Sequence, residues 1–208
     1  MDEKLYRELG QLTNDKTLWK QNIPHVASLL ENQSPKIMWL LGEMGLMYPQ
    51  EIAPYTKSIA SFIVSENDLL RERSANALGR IGRADYNLVA PYLKELFILA
   101  KDESPNVRLS FIWASENIAT NTPMVYEKYL PIFAELLNDE NERVRIEAPE
   151  MFRVLGKRKP EFVRPYLEKL DYIATHDEVS FVRIHAKGAI KATLSKSTIE
   201  PDAKTQSR

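Results

Sequence analysis

The chain has 208 residues, 44% apolar and 27% charged, with a formal net charge of -1. That balance suits a folded chain and excludes a global field that would draw nucleic acid or anionic membrane, so either partner would need a local patch. Cysteine is absent, which removes disulfides, thiolate metal ligands and a cysteine nucleophile.

Met1-Asp2-Glu3-Lys4 opens an acidic, helix-like segment without an apolar signal core, and no uncharged run nears the roughly 18 residues of a membrane span. The chain is therefore expected in the cytoplasm, away from membranes. Leu5, Leu9 and Leu12 stand at helical spacing before a break at Thr13-Asn14-Asp15. Leu18, Trp19, Ile23, Val26, Leu29 and Leu30 form a second stripe, with Pro24 set to kink it or to start its second part. Residues 1–31 thus read as a capping helix pair.

From residue 32 a period takes over. Tyr55, Tyr92, Tyr129 and Tyr166 fall 37 residues apart without a gap, the mark of stacked repeats. Counted from Arg71, Arg108, Arg145 and Arg183, with Ser34 in the first copy, offsets 3, 6, 7 and 10 are almost all apolar or small and trace one face of an α-helix, the A helix. Offset 11 holds Gly45, Gly82, Ala119 and Gly156, suited to a left-handed helix cap or a close helix crossing. Counted from the tyrosines, offsets 1, 4, 7 and 8 give the stripe of a B helix, and Pro54, Pro91 and Pro165 are placed at its first position. After the fourth B helix the register slips by one, because Arg183 follows Arg145 by 38 residues, and one more A helix fits. The predicted fold is an all-α solenoid of about eleven helices, with repeats over 32–196 and a disordered polar tail over 197–208.

These residues resemble the HEAT-repeat family in its short form, similar to bilin lyases. The carriers are Asp102-Arg108, Asp139-Arg145 and Asp177-Arg183, with Leu78-Gly79-Arg80-Ile81-Gly82 and Leu155-Gly156. Ser34 and Ser65 depart from the pattern in the first copy. The resemblance implies antiparallel helix pairs wound into a superhelix with B helices on the concave side. It speaks weakly to activity.

The Asp-x5-Arg pairs read as fasteners of turns and neighbouring copies in preference to a ligand-binding ladder. Binding surface should appear where a column breaks its own rule. Phe97, Ile98, Ile132 and Tyr172 stand in outward slots of the B helices, beside Lys57, Lys94 and Lys101. They define a concave apolar patch for a protein or peptide partner, against the alternative that curvature buries them. Trp39 and Trp113 share an outward A-helix column, where they either meet a partner or fill gaps between helices. A second reading takes Arg80, Arg83, Arg153 and Lys157, near A-helix ends, as a phosphate rim for nucleic acid, as in the DNA-repair branch of related helical repeats. Cations at helix C-termini have a dipole reason of their own. His176, Asp177 and His185 make a poor zinc site, and His25, His176 and His185 lack the following glutamate of iron-binding HEAT-like hydroxylases. No metal, cofactor or catalytic residue is assigned. The function read from sequence is a non-enzymatic protein-binding scaffold.

Overall fold

The computed structural model describes residues 3–195, so the tail expected over 197–208 lies outside the described residues. In chain order the rods are α1 (Glu3–Asn14), α2 (16–32), α3 (Pro35–Met47), α4 (49–64), α5 (Asp68–Ala84), α6 (86–101), α7 (Pro105–Asn121), α8 (123–136), α9 (Glu142–Gly156), α10 (160–176) and α11 (Ser180–Leu194). Among the described residues there are thus eleven helical rods and no strand. The A helices are α3, α5, α7, α9 and α11, each joined to the next by a B rod. No helix of the described residues is long and apolar enough to cross a membrane.

The A helices are regular because their starts are well specified. Pro35 and Pro105 occupy first-turn positions, where a missing N–H costs no bond. Asn67 and Asn141 accept from the backbone N–H of Leu69 and of Arg143, as N-caps do.

The B rods are broken internally. Each tyrosine column residue preceded by proline closes a 3-10 turn, Ala53–Tyr55, Ala90–Tyr92 and Arg164–Tyr166, after an earlier helical turn. Pro54, Pro91 and Pro165 therefore sit inside their rods and not at the start. A proline cannot donate to the carbonyl four residues back, so the chain tightens to 3-10 and then resumes. Pro24 is likewise inside α2, between Trp19 and Ser28.

Neighbouring A helices touch backbone to side chain. A Cβ built on Gly42 would stand 2.7 Å from Cα of Ala77, and one on Gly79 2.5 Å from Cα of Ala114. Only glycine permits that approach. The offset-11 glycines are also contact residues, a Cβ on Gly82 falling 2.6 Å from Val89 Cγ2. They are not left-handed caps, since among the described residues Gln33 alone of the non-glycines, and no glycine, has positive φ.

Larger side chains separate the B rods. Phe97 of α6 stacks on Tyr129 of α8 with ring centroids 4.0 Å apart, and Lys169 of α10 donates to the Ala134 carbonyl of α8 at 2.6 Å. The buried stripes, including Ile59, Leu96, Phe133 and Leu170, turn toward the A helices and make a single continuous core. Each copy dries the face of its neighbour, which is why no copy stands alone.

Candidate partner-binding surface

The polar rungs between copies fix which side chains remain free. Arg71 donates to both carboxylate oxygens of Asp102, at 2.7 and 2.8 Å, and Arg108 to both of Asp139, each at 2.8 Å. Arg145 reaches Asp177 at 3.3 Å. Each arginine also donates from Nη1 to the backbone carbonyl six residues before it, Ser65, Asp102, Asp139 or, from Arg183, Asp177. The aspartate in turn accepts the backbone N–H two residues on, from Ser104, Asn141 or Val179. The Asp-x5-Arg spacing is thus satisfied through the aspartate's backbone. Its side chain serves the arginine of the preceding copy. Asp102 is held below the usual carboxylate range by the Arg71 and Ser104 hydrogen bonds, against a desolvation that pushes the other way and is the largest single influence.

On the B face the four apolar candidates divide. Phe97 is half-buried, stacked on Tyr129 and edge-on to Phe111 at 5.2 Å, and Ile132 is half-buried against the core. Ile98 and Tyr172 project freely, 65% and 64% exposed. They share one column, six residues past the tyrosines, but Glu135 of α8 lies between them in that column. The structure therefore does not join all four into one patch. Tyr172 stacks on His176 at 4.4 Å. Lys57, Lys94 and Lys101 are all exposed, and Lys101 lies 3.9 Å from Glu135.

Two apolar residues that are not among the sequence candidates belong to the same face. Val64 of α4 is 74% exposed and Met124 of α8 57%. Val64 was legible as an apolar residue in an outward slot of an otherwise polar first copy. Met124 lies five residues ahead of Tyr129, in the 3-10 turn Pro123–Tyr129 and outside the outward columns counted from the tyrosines. Both line furrows between B rods, the first a cavity of about 220 Å³ between α4 and α6 and the second one of about 480 Å³ between α6 and α8.

The rim cations are mostly engaged within the chain. Arg80 Nε lies 2.5 Å from Glu43 Oε1, Arg83 donates to Asn117 Oδ1 at 3.3 Å, and Arg153 pairs with Glu150 on its own helix. Lys157 is exposed. In the tryptophan column Trp113 donates from Nε1 to Glu147 Oε1 at 3.0 Å, and Trp39 packs partly buried against the core.

The histidines do not converge. Nδ1 of His176 lies 3.0 Å from the Tyr172 carbonyl, whereas Nδ1 of His185 is 2.9 Å from Glu150 Oε1, an ion-pair distance outside hydrogen-bond alignment. Glu150 belongs to a cluster of A-helix charges with Glu116 of α7, Glu147 and Arg153. Burial, reinforced by Glu147 and Glu150, raises the Glu116 carboxyl to about 8, Arg153 opposing. No group of three His, Asp or Glu among the described residues is arranged to hold a metal ion.

No family model matches the chain, and no curated protein matches it. Solved structures do. An engineered protein superposes with a TM-score of 0.69 at 18% identity, covering 93% of this chain and 94% of its own. A designed armadillo repeat protein in complex with the peptide (KR)4 gives 0.67 at 17%, covering 90% and 86%. Computationally designed armadillo repeat proteins for modular peptide recognition give 0.60 at 16%, covering 92% and 94%. At such identities the likeness is one of fold alone. It narrows the HEAT resemblance to its coarser form: the chain is an all-α helical-repeat solenoid whose structural neighbours are armadillo-like designs.

Proposed function

We propose that the protein is a non-enzymatic scaffold that holds a segment of a partner protein across its B face, the face that the HEAT resemblance makes concave. The observation that carries this reading is the exposure of Ile98, Tyr172, Val64 and Met124 on rods whose other large apolar residues are buried or half-buried. Large apolar groups left in water on one face offer contact area to a partner. The armadillo design bound to (KR)4 supports a peptide-binding use of such a stack. Two rods per 37 residues favour HEAT-type pairs over three-helix armadillo units.

Phosphate binding at Arg80, Arg83, Arg153 and Lys157 draws less support, because the three arginines already have partners in the chain. A mobility-shift titration against salt tests it, phosphate contacts weakening steeply as salt rises.

The scaffold reading is tested by changing Ile98 and Tyr172 to Asp. Both side chains are exposed, so helicity by circular dichroism should be unchanged while partner capture is lost. Retained capture by the double variant overturns the reading. Phe97→Asp is unsuitable as a probe, because its ring is part of the packing between α6 and α8.

A further inference from the structure

The two ends of the stack are finished differently. None of the described large apolar side chains of residues 3–32 is exposed, which gives the N-terminal end the polar outer face that a terminal unit needs. At the other end α11 leaves Ile184 60% and Leu194 50% exposed.

The earlier copies show what covers this side of an A helix. Offset 7 from the arginine slot is buried as Leu41, Leu78, Ser115 and Phe152, and offset 11 as Gly45, Gly82, Ala119 and Gly156. The next A helix lies there: a Cβ on Gly156 would meet Thr193, and Gly42 and Gly79, at offset 8, touch Ala77 and Ala114. In α11 offset 7 is the half-buried Ile190, and offsets 8 and 11 are the exposed Lys191 and Leu194. Offset 4, buried in all four earlier copies, is the exposed Lys187. Among the described residues no further helix covers this stripe.

Arg183 completes the face. Like its counterparts it donates from Nη1 to two carbonyls of its own turn, those of Asp177 and Glu178. Its Nε and Nη2, the groups with which Arg71 and Arg108 grip the aspartate of the following copy, have no acceptor among the described residues. The acids of its turn face the preceding copy, where Asp177 pairs with Arg145 and Glu178 lies 3.5 Å from the same guanidinium. Residues 180–195 contain no acid, and among the described residues Lys187 and Lys191 have no ion pair. On α10 the column of Ala60, Phe97 and Ala134 holds Asp171, so the basic character belongs to α11 and not to the rod beside it.

We infer that α11 is a docking site for an acidic amphipathic helix of a partner protein, seated where a further A helix would lie. One carboxylate meets Nε and Nη2 of Arg183, apolar side chains pack between Ile184 and Leu194, and acids flank Lys187 and Lys191. The template is Asp139 with α9, which covers α7 and holds Arg108 in the same way. This surface is separate from the B face of the scaffold reading. A second copy of the chain fits it poorly, because two such faces would set Arg183, Lys187 and Lys191 against their own counterparts. Residues 196–208 also match it poorly, with one large apolar residue, Ile199, and three cations to two acids.

Fluorescence anisotropy on the full chain tests the site with a synthetic amphipathic helix of about 18 residues, leucine on one stripe and glutamate beside it. An aspartate stands three residues ahead of the helix, as Asp102 and Asp139 stand ahead of α7 and α9. This peptide should bind saturably and more weakly as salt rises, and twins with lysine for each acid or with the leucines moved off the stripe should bind at least about tenfold more weakly. Ile184→Asp, and Lys187→Glu with Lys191→Glu, all at exposed positions, should each weaken binding at least about tenfold with helicity unchanged. The Ile98→Asp, Tyr172→Asp variant should bind as the native chain does. Absence of saturable binding, or unchanged affinity in either α11 variant, overturns the inference. Loss of binding in the Ile98, Tyr172 variant alone moves the peptide to the B face, which overturns the α11 site and leaves the scaffold reading standing. A dimer in sedimentation that Ile184→Asp dissociates gives the face to a second copy, and binding that appears only in Ile199→Ser gives it to the chain's own tail; either result overturns the partner helix.

Discussion

The junctions between copies at the two ends of the stack are built differently. From α5 onward each junction carries an arginine–aspartate rung, and Arg108–Asp139 is the best enclosed, both side chains being under 10% exposed. Between α3 and α5 the rung is missing. Ser34 stands in the arginine slot and Ser65 in the aspartate slot, and the junction depends on Gly42 against Ala77 and on the Arg80–Glu43 pair. A helical solenoid can therefore stack without an arginine–aspartate rung. The rungs add orientation to contacts that apolar packing already makes, because a bidentate guanidinium accepts only one arrangement of its partner.

The two kinds of junction should differ most at Arg108. Replacement by Ala leaves Asp139 nearly enclosed without its partner, and breaking such a pair costs about 3–5 kcal/mol. Urea unfolding should show that loss for Arg108→Ala, while Ser34→Ala in the rungless junction should move stability by less than about 1 kcal/mol. Similar losses for the two variants would mean that the rungs contribute no more than the serines they replace.

The C-terminal junctions also carry a charge cluster absent from the N-terminal one, and pH exposes it. Folded Glu116 keeps its proton up to about pH 8, whereas in the unfolded chain it titrates near its ordinary value of 4.5. The folded state thus binds more protons across that window. Stability should fall as pH rises through it, by up to about 1.4 kcal/mol per pH unit, and the penalty should be complete above the folded value. Glu116→Gln should flatten this slope and raise the melting temperature at pH 9 more than at pH 5. A parallel pair of pH profiles for the native chain and the variant would rule the cluster out as its source.

The smallest effect is the restoration of the missing rung. Ser34→Arg with Ser65→Asp should form it, stabilising the chain by about 1 kcal/mol or less. Each single change should be neutral or unfavourable, because it places one charge without the other. A double-mutant cycle reads the coupling directly.

The sequence was most legible where a pattern recurred. The 37-residue period, the A-helix face and the inward B stripe all return in the structure, because an amphipathic rod must bury its stripe wherever it lies. The candidate surface was legible only in part. Ile98 and Tyr172 are outward as their columns predict, but Phe97 turns into the furrow against Tyr129, a contact between residues 32 apart on different rods. Met124 lies in the 3-10 turn ahead of Tyr129, whose side-chain directions do not follow the α-helical offsets counted from the tyrosine. The arginine–aspartate spacing is visible in the sequence, yet the side-chain pairing runs to the next copy, 31 residues on for Arg71 and Arg108.

By itself, then, the sequence determined the repeat, its helices and the faces they bury, since these follow from local periodicity and the aversion of apolar side chains to water. Which arginine holds which aspartate, which glycines allow helices to touch, and which apolar residues stay exposed were decided only when the copies stacked. Those outcomes depend on the distance and register between rods, which no single copy contains.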